Sequence, residues 1–404
     1  MDSTAALRVL HVIASASRLR GGPSVSVHNV LKALRRRGIS VDLVTTDDDG
    51  ANARLHVPLD RFVQIEGQNV RYFPRQTSKY EFSAPMLRWL RAHVQEYDVV
   101  HTHGLFGWPP LAAAWCARAA RVPYVMRAAG VLDTWGMRNK SRLVKALSVR
   151  LAEGPLLQSA AAVHFTTALE QARAAELGLR IRPVVLPTGV DIDTSADPGS
   201  QPAGAPALGD SGMILYLARV HPIKRIDALL QAYAKLENRR STALVIAGDG
   251  DAVLLERLKR MAAELGLGKD VHWPGFADGA LKRWLLARAS LFVLPSDSEN
   301  YGIAVVEAMN AGLPVIVTHG CGLADFVRQH GAGTVTDGTV AGLQAALAGL
   351  LANAELRRAM GQAGREAAQR ELSLDAFGAR LESLYRSVLL GSAAHARTMV
   401  PVEP

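Results

Sequence analysis

The chain has 404 residues, 49% of them hydrophobic and 21% charged, with 35 glycines and a formal net charge of +9. That length exceeds one typical core and predicts two globular domains, and the composition excludes a disordered or disulfide-stapled chain. The two cysteines, Cys116 and Cys321, stand far apart with no metal or disulfide spacing, which fits a reducing, cytoplasmic setting.

The first apolar run, 7–16, reads as a buried strand. Asp2 occupies the place of a basic n-region, and Arg8 and His11 interrupt the run, so it does not make a signal peptide. Gly21 and Gly22 follow as a turn before a helix over 25–37. Short β-branched runs then alternate with helical patterns: a strand at 41–45, a helix at 85–94, a strand at 98–101, a helix at 109–121 and a strand at 124–126, and so on to 184–186. Such alternation predicts parallel strands joined by helical crossovers. Residues 193–212 are rich in Pro, Gly, Ser and Ala and read as a linker. A second alternation starts at 213, with strands at 214–217, 243–247, 271–273, 291–294 and 315–317 and helices between them. The expected organisation is an N-terminal domain over 1–192, the linker, and a C-terminal domain over 213–372. A closing helix over 373–391 would pack back toward the N-terminal domain, and 392–404 would form a frayed tail. The expected fold class is α/β, two Rossmann-like doubly wound domains facing a cleft, with ligands beyond the carboxyl ends of the strands.

No segment reaches the roughly 18 apolar residues that a membrane span requires. The positive charge raises nucleic acid as a partner, but no zinc-finger or RNA-binding signature is present, so none is expected. Much of the charge lies in Arg35-Arg36-Arg37 and in Arg138, Lys140, Arg142, Lys145 and Arg150. The second cluster alternates with Leu143, Val144, Leu147 and Leu151. A helix over 138–150 would therefore either bury an apolar face in the core or lie on the anionic inner face of the cytoplasmic membrane.

The segment after the strand at 291–294, PSDSENYGIAVVEAMNAGLP, carries the chemistry. Ser296–Tyr301 makes a polar loop, Gly302 allows a close backbone approach, and a short helix runs to Ala311 before Gly312 and Pro314. The N–H groups from Asn300, Tyr301 and Gly302 to Ile303, at the positive end of a helix dipole, would seat a diphosphate. Glu299 and Glu307 flank that seat, and carboxylates there suit hydroxyl groups of a sugar or ribose. A second motif follows the strand at 214–217, where Arg219 and Lys224 present cations suited to a leaving diphosphate. Weaker signals are the Gly248-Asp249-Gly250 turn, which is not a dinucleotide fingerprint, and Gly275-Phe276. In the N-terminal half, DVVHTHG places His101 and His103 at a strand end, and YVMRAAG ends the next strand at Arg127 and Gly130.

These motifs resemble the retaining nucleotide-sugar glycosyltransferases of GT-B fold, the group 1 or family 4 class, over nearly the whole chain. The strongest element is Glu299, seven intervening residues, Glu307-Ala308-Met309 and Gly312-Leu313-Pro314-Val315-Ile316. The resemblance implies that Glu299 contacts the transferred sugar, Glu307 the nucleotide ribose, and Arg219 and Lys224 the donor phosphates. It further implies that the nucleotide base lies near Phe276 and that Gly21 and Gly22 let backbone approach the donor phosphate. This chain departs from the pattern at Tyr301, where Phe is common, at Ala218, where Gly is usual, and at Arg127, where many relatives carry a histidine that touches the donor sugar. His103 is then the nearest histidine for the acceptor side, with Arg127 beside it.

Asp191-Ile192-Asp193 has the form of a metal-binding pair, as does Asp47-Asp48-Asp49. The first belongs to PTGVD, similar to the family's interdomain PNGVD, and the second lacks helper ligands, so neither a metal nor another cofactor is expected. The resemblance implies transfer from a UDP- or GDP-sugar with retention of configuration, the departing phosphate taking the acceptor proton. The basic surface suggests a saccharide or lipid-linked saccharide acceptor, in exopolysaccharide, capsule or lipopolysaccharide biosynthesis. The rivals are a nucleotide-sugar epimerase on the same scaffold, which needs acid/base carboxylates, and a non-catalytic carbohydrate-binding protein.

Overall fold

The computed structural model describes residues 7–17, 21–50, 53–132, 148–191, 200–206, 212–237 and 239–398. Its first part runs through β1 (Arg8–Ser15), α1 (Gly22–Arg36), β2 (Ser40–Thr46), β3 (Phe62–Ile65), β4 (Gln68–Phe73), α2 (Ala84–His93) and β5 (Val99–His103). It continues with α3 (Trp108–Ala119), β6 (Tyr124–Arg127), α4 (Gly154–Ser159), β7 (Ala162–Phe165), α5 (Ala168–Ala175) and β8 (Pro183–Val185). From residue 212 come β9 (Gly212–Leu217), α6 (Ile226–Ala234), β10 (Thr242–Ala247), α7 (Ala252–Glu264), β11 (Val271–Gly275), α8 (Gly279–Arg288) and β12 (Leu291–Leu294). The chain finishes with α9 (Ile303–Asn310), β13 (Val315–Thr318), α10 (Ala324–Gln329), β14 (Gly333–Thr336), α11 (Val340–Ala352), α12 (Ala354–Glu371) and α13 (Leu374–Thr398). Contacts divide it into two units, 1–191 with 374–404, and 192–373.

In the first unit the strands stand in the order β3-β4-β2-β1-β5-β6-β7-β8. All pair in parallel except β3 with β4, an antiparallel hairpin that the sequence reading passed over. Its signal is Glu66-Gly67, at φ 48° and 74°, the paired positive angles of a tight hairpin turn. Strands β5, β6 and β7 are buried at every residue, as expected of a parallel sheet covered on both faces. Side chains of β1 alternate between the two layers. Leu10 and Val12 pack with Met86 and Trp89 of α2 and Ala113 of α3, while Val9 and Ile13 pack with Leu31 and Leu34 of α1 and Phe377 and Leu381 of α13. Thus α13 closes over the first unit, and Arg37, the C-cap of α1, meets Glu382 of α13 at 2.5 Å.

The second unit holds a fully parallel sheet ordered β11-β10-β9-β12-β13-β14. In each sheet the chain enters at a central strand, β1 or β9, builds outward to one edge, and then returns to build the other side from β5 or β12. The reversal leaves a crevice at the carboxyl ends of β1 and β5, and another at those of β9 and β12. Among the described residues, no helix is long and apolar enough to cross a membrane. Arg138, Lys140, Arg142 and Lys145 of the basic segment lie outside the described residues, as do most of the linker and the last residues of the tail.

Candidate functional site

The loops after β9 and β12 meet at the second unit's switch point. After β9 the chain passes Arg219, makes a single 3-10 turn at Pro222–Lys224, and reverses at Arg225, a non-glycine residue in the left-handed region at φ 52°. Two contacts hold that reversal against the loop after β12. The Asp297 N–H donates to the Ile223 carbonyl at 2.9 Å, and the Arg225 guanidinium meets the Asp297 carboxylate at 2.9 Å. The lacing brings Lys224 Nζ to 2.5 Å from Glu299 Oε2, an ion pair whose side chains are 11% and 22% exposed. Residues 75 apart in sequence thus form one charged unit.

Glu299 is braced from behind. Its N–H donates to Gly320 O at 3.0 Å, and Gly322 N–H donates to Glu299 O at 2.8 Å. A Cβ at Gly320 would lie 2.0 Å from the Asp297 carbonyl, so only glycine permits this approach. Gly302, at φ 88°, caps α9, and no side chain satisfies the helix start. Val305 N–H donates to Gly302 O at 2.9 Å, so the first-turn N–H groups that face an anion are those of Ile303 and Ala304, beside Asn300 and the buried Tyr301. Glu307 lies one turn along α9, and because side chains lean toward the helix N-terminus it shares the stripe of Ile303. Its Oε1 accepts from Lys282 Nζ of α8 at 2.7 Å, a partner the sequence reading did not single out. Around the pair, the buried Cys321 thiol is pushed up to about 12 by burial and then by the Glu299 charge, so it stays protonated. The Tyr216 hydroxyl is likewise held well above its usual range by burial and by Glu299.

The Gly248-Asp249-Gly250 turn is set by backbone contact. A Cβ at Gly248 would lie 1.9 Å from the Ala218 carbonyl, and one at Gly250 would lie 2.2 Å from the Val220 carbonyl. The turn therefore lies flat against the segment carrying Arg219, which is exposed. Gly248 N–H donates to Gly275 O at 2.8 Å, and the next residue, Phe276, presents a ring that is 65% exposed. Arg219, Lys224, Gly248, Phe276, Glu299 and Glu307 all belong to this one end of the second sheet.

In the first unit, Gly21 is the N-cap of α1 and Gly22 its first residue, and added methyl groups would meet nothing within 4 Å. His103 ends β5, 3% exposed, and its Nε2 is hydrogen-bonded to His11 Nδ1 at 2.9 Å. His101 Nδ1 is hydrogen-bonded to the Tyr385 hydroxyl at 2.8 Å, and His164 to the Leu186 carbonyl at 2.9 Å. Burial holds His11 and His164 down to about 3, and burial with neighbouring cations lowers His101 and His103 well below the imidazole range. Arg127, 5% exposed, donates to Ser26 at 2.5 Å and to Thr188 at 2.9 Å. Nitrogens of His11, His101 and His103 lie within 4.8 Å of one another. With bonds inside the cluster and a buried guanidinium beside it, the cluster suits a neutral hydrogen-bonded core better than a cation. The acidic runs are also engaged. Asp191 meets Arg36 at 2.8 Å, Asp47 meets Arg54 at 3.3 Å, and Asp48 is paired with the buried Arg75.

The sequence pattern described as Glycosyl transferases group 1 matches residues 202–367, and the Glycosyl transferase 4-like domain matches residues 21–189. A D-inositol 3-phosphate glycosyltransferase from Mycolicibacterium smegmatis is 30% identical over 337 residues, covering 79% of this chain and 75% of that protein. The chain is a group 1 glycosyltransferase. From the same organism, a GDP-mannose-dependent alpha-(1-6)-phosphatidylinositol monomannoside mannosyltransferase is 36% identical over 214 residues, 49% of this chain and 55% of that protein. In fold, the Anabaena protein HepE in complex with UDP and glucose superposes with a TM-score of 0.74 at 20% identity, covering 94% of this chain and all of that one. The fold of this glycosyltransferase is accordingly GT-B. For a glycosyltransferase the second unit's site has apt chemistry: cations and free helix amides for negative charge, and two carboxylates for hydroxyls.

Proposed function

We propose that this glycosyltransferase moves a hexosyl group from a UDP- or GDP-sugar, with retention of anomeric configuration, to a saccharide or lipid-linked saccharide. The observation that carries the reading is the pairing of Glu299 with Lys224 and of Glu307 with Lys282 around the uncapped start of α9. Each lysine holds one carboxylate oxygen, and donor hydroxyls reach the other: Glu307 Oε2, and Glu299 Oε1, which also accepts from Tyr301 N–H at 3.4 Å. The donor diphosphate lies against the α9 amides, with Arg219 and Lys224 stabilising the charge that develops as it departs. No metal or other cofactor takes part. Among the described residues no strong nucleophile stands in the second unit's site, so the acceptor hydroxyl attacks on the leaving-group face and the departing phosphate takes its proton. Relatives named for D-inositol 3-phosphate and phosphatidylinositol monomannoside favour a polyol or lipid-linked saccharide acceptor. Polysaccharide or lipopolysaccharide assembly at the inner membrane face is the setting we infer. The described end of the basic segment, exposed Arg150 beside Leu151 at 67% exposure, supports peripheral contact there.

A thermal-shift panel of UDP-, GDP- and ADP-sugars identifies the donor, and NMR of the transferred product reads its anomeric configuration. A retained configuration is expected. An inverted product, or a donor isomerised without acceptor, overturns the proposal.

A further inference from the structure

The helix α9 that carries Glu307 is held at its far end by α12. An α-helix leaves its last carbonyl groups without partners in its own turns, and groups outside the helix must satisfy them. At the end of α9 the chain itself meets two. Gly312 takes the left-handed conformation at φ 80°, its N–H donates to Met309 O at 2.8 Å, and Leu313 N–H donates to Ala308 O at 3.0 Å. This is the paired bonding of a glycine-terminated helix, and it does not reach the carbonyls of Asn310 and Ala311. One side chain of α12 meets both, 55 positions beyond Asn310. Arg365 Nε donates to Asn310 O at 3.1 Å, and its Nη2 donates to Ala311 O at 2.7 Å.

Glycines clear the way for this fork. A Cβ on Gly312 would lie 2.7 Å from Arg365 Nη2, and one on Gly361, a turn earlier in α12, would lie 2.0 Å from the Gly312 carbonyl. One on Gly364 would lie 3.4 Å from Met309 Cγ. The backbone of α12 therefore lies directly against the end of α9. A planar guanidinium with two donors in a fixed fork sets orientation as well as distance, which a single ammonium does not. Its charge also complements the negative end of the helix.

The clamped turn is the one that begins at Glu307. Glu307 O accepts from Ala311 N–H at 3.0 Å, so a residue whose carbonyl Arg365 holds is bonded directly to the backbone of Glu307. With eight residues α9 makes about two turns, too few to hold its shape without tertiary support. Lys282 fixes one oxygen of the Glu307 carboxylate from α8, and Arg365 fixes the backbone that carries it. We infer that Arg365 is a positioning residue of the donor site, setting the rotation of α9 and so the aim of Glu307. The inference deepens the proposed function and rests on its reading of Glu307 as the nucleotide grip.

The test is a double-mutant cycle on the full chain, read by isothermal titration with UDP, GDP and ADP beside thermal melts. Arg365→Gln should bind the nucleotide about tenfold more weakly than wild type, the loss of one hydrogen bond from a misaimed Glu307. Arg365→Lys, which keeps the charge and one donor, should recover part of that affinity. Because Arg365 acts through Glu307, adding Arg365→Gln to Glu307→Ala should cost no further affinity. A merely structural role would lower the melting point and leave the affinity of the folded protein intact. Wild-type affinity in Arg365→Gln, or losses that multiply in the double variant, would overturn the inference. Should Arg365→Gln fail to fold, Arg365→Lys completes the same cycle. Unchanged affinity in Glu307→Ala would sink the ribose assignment and this inference together, whereas a loss there with none in Arg365→Gln would sink this inference alone.

Discussion

Replacing Glu307 with alanine tests the donor site most directly. Glu307 Oε1 already accepts from Lys282 at 2.7 Å, so a bound ribose draws on the second oxygen and shares the first. Charge-assisted hydrogen bonds of this kind are worth roughly 1.5–3 kcal/mol each. Losing a ribose grip of one strong bond and one shared bond removes about 3 kcal/mol, or roughly a hundredfold in nucleotide affinity. The stability effect is of another order. The Glu307 and Lys282 side chains are 18% and 32% exposed, and a partly exposed pair contributes at most about 1 kcal/mol after screening. Isothermal titration with UDP and GDP, beside a thermal melt, separates the two effects. The expected result is a large loss of affinity with a melting point lowered by only a few degrees. Lys282→Ala should weaken the same nucleotide far less, because it leaves the carboxylate in place. Nucleotide affinity in Glu307→Ala within twofold of wild type would refute the ribose assignment.

The buried histidines predict acid lability. His11 and His164 are neutral in the fold and titrate near 3, against about 6.5 when unfolded, so the unfolded chain binds more protons between those values. Stability is therefore fully present above about pH 6.5 and falls as pH drops through that window, by roughly 2 kcal/mol per histidine at pH 5. Urea midpoints by circular dichroism at pH 7.5 and 5.0 check it, and equal midpoints would refute it. Gly248→Ala would drive a methyl into the Ala218 carbonyl, so the turn must move and carry the Arg219 segment with it. A clearly lower melting point together with weaker nucleotide binding is expected, and an unchanged melt would show that the turn relaxes freely.

Much of the fold was legible because it is parallel. Strands buried on both faces are continuous apolar runs, such as LFVL at β12 and VIVT at β13, and glycines punctuate them where chains must pass closely. The β3–β4 hairpin escaped because each of its strands is short and only partly apolar, and its turn is marked by a single Glu-Gly pair. His11, His101 and His164 lie far apart in the sequence, on three different strands. They meet only because β1, β5, β6 and β7 stand side by side, and Tyr385 joins them because α13 folds back from the far end of the chain.

The sequence by itself determined the chemistry at the start of α9. Glu299, Gly302 and Glu307 sit within one loop and one turn of helix, so local geometry alone places a carboxylate before a helix start and another one turn inside it. What Lys224 and Lys282 do with those carboxylates was decided by the tertiary structure. Lys224 comes from the loop after β9 and Lys282 from α8, and the Lys224–Glu299 pairing exists only because β9 and β12 adjoin at the switch point and Asp297, Arg225 and Gly320 lock their loops together. The physical reason is range. Caps, turns and helix stripes act over a few residues, whereas an ion pair spanning 75 positions depends on the order of strands in the sheet.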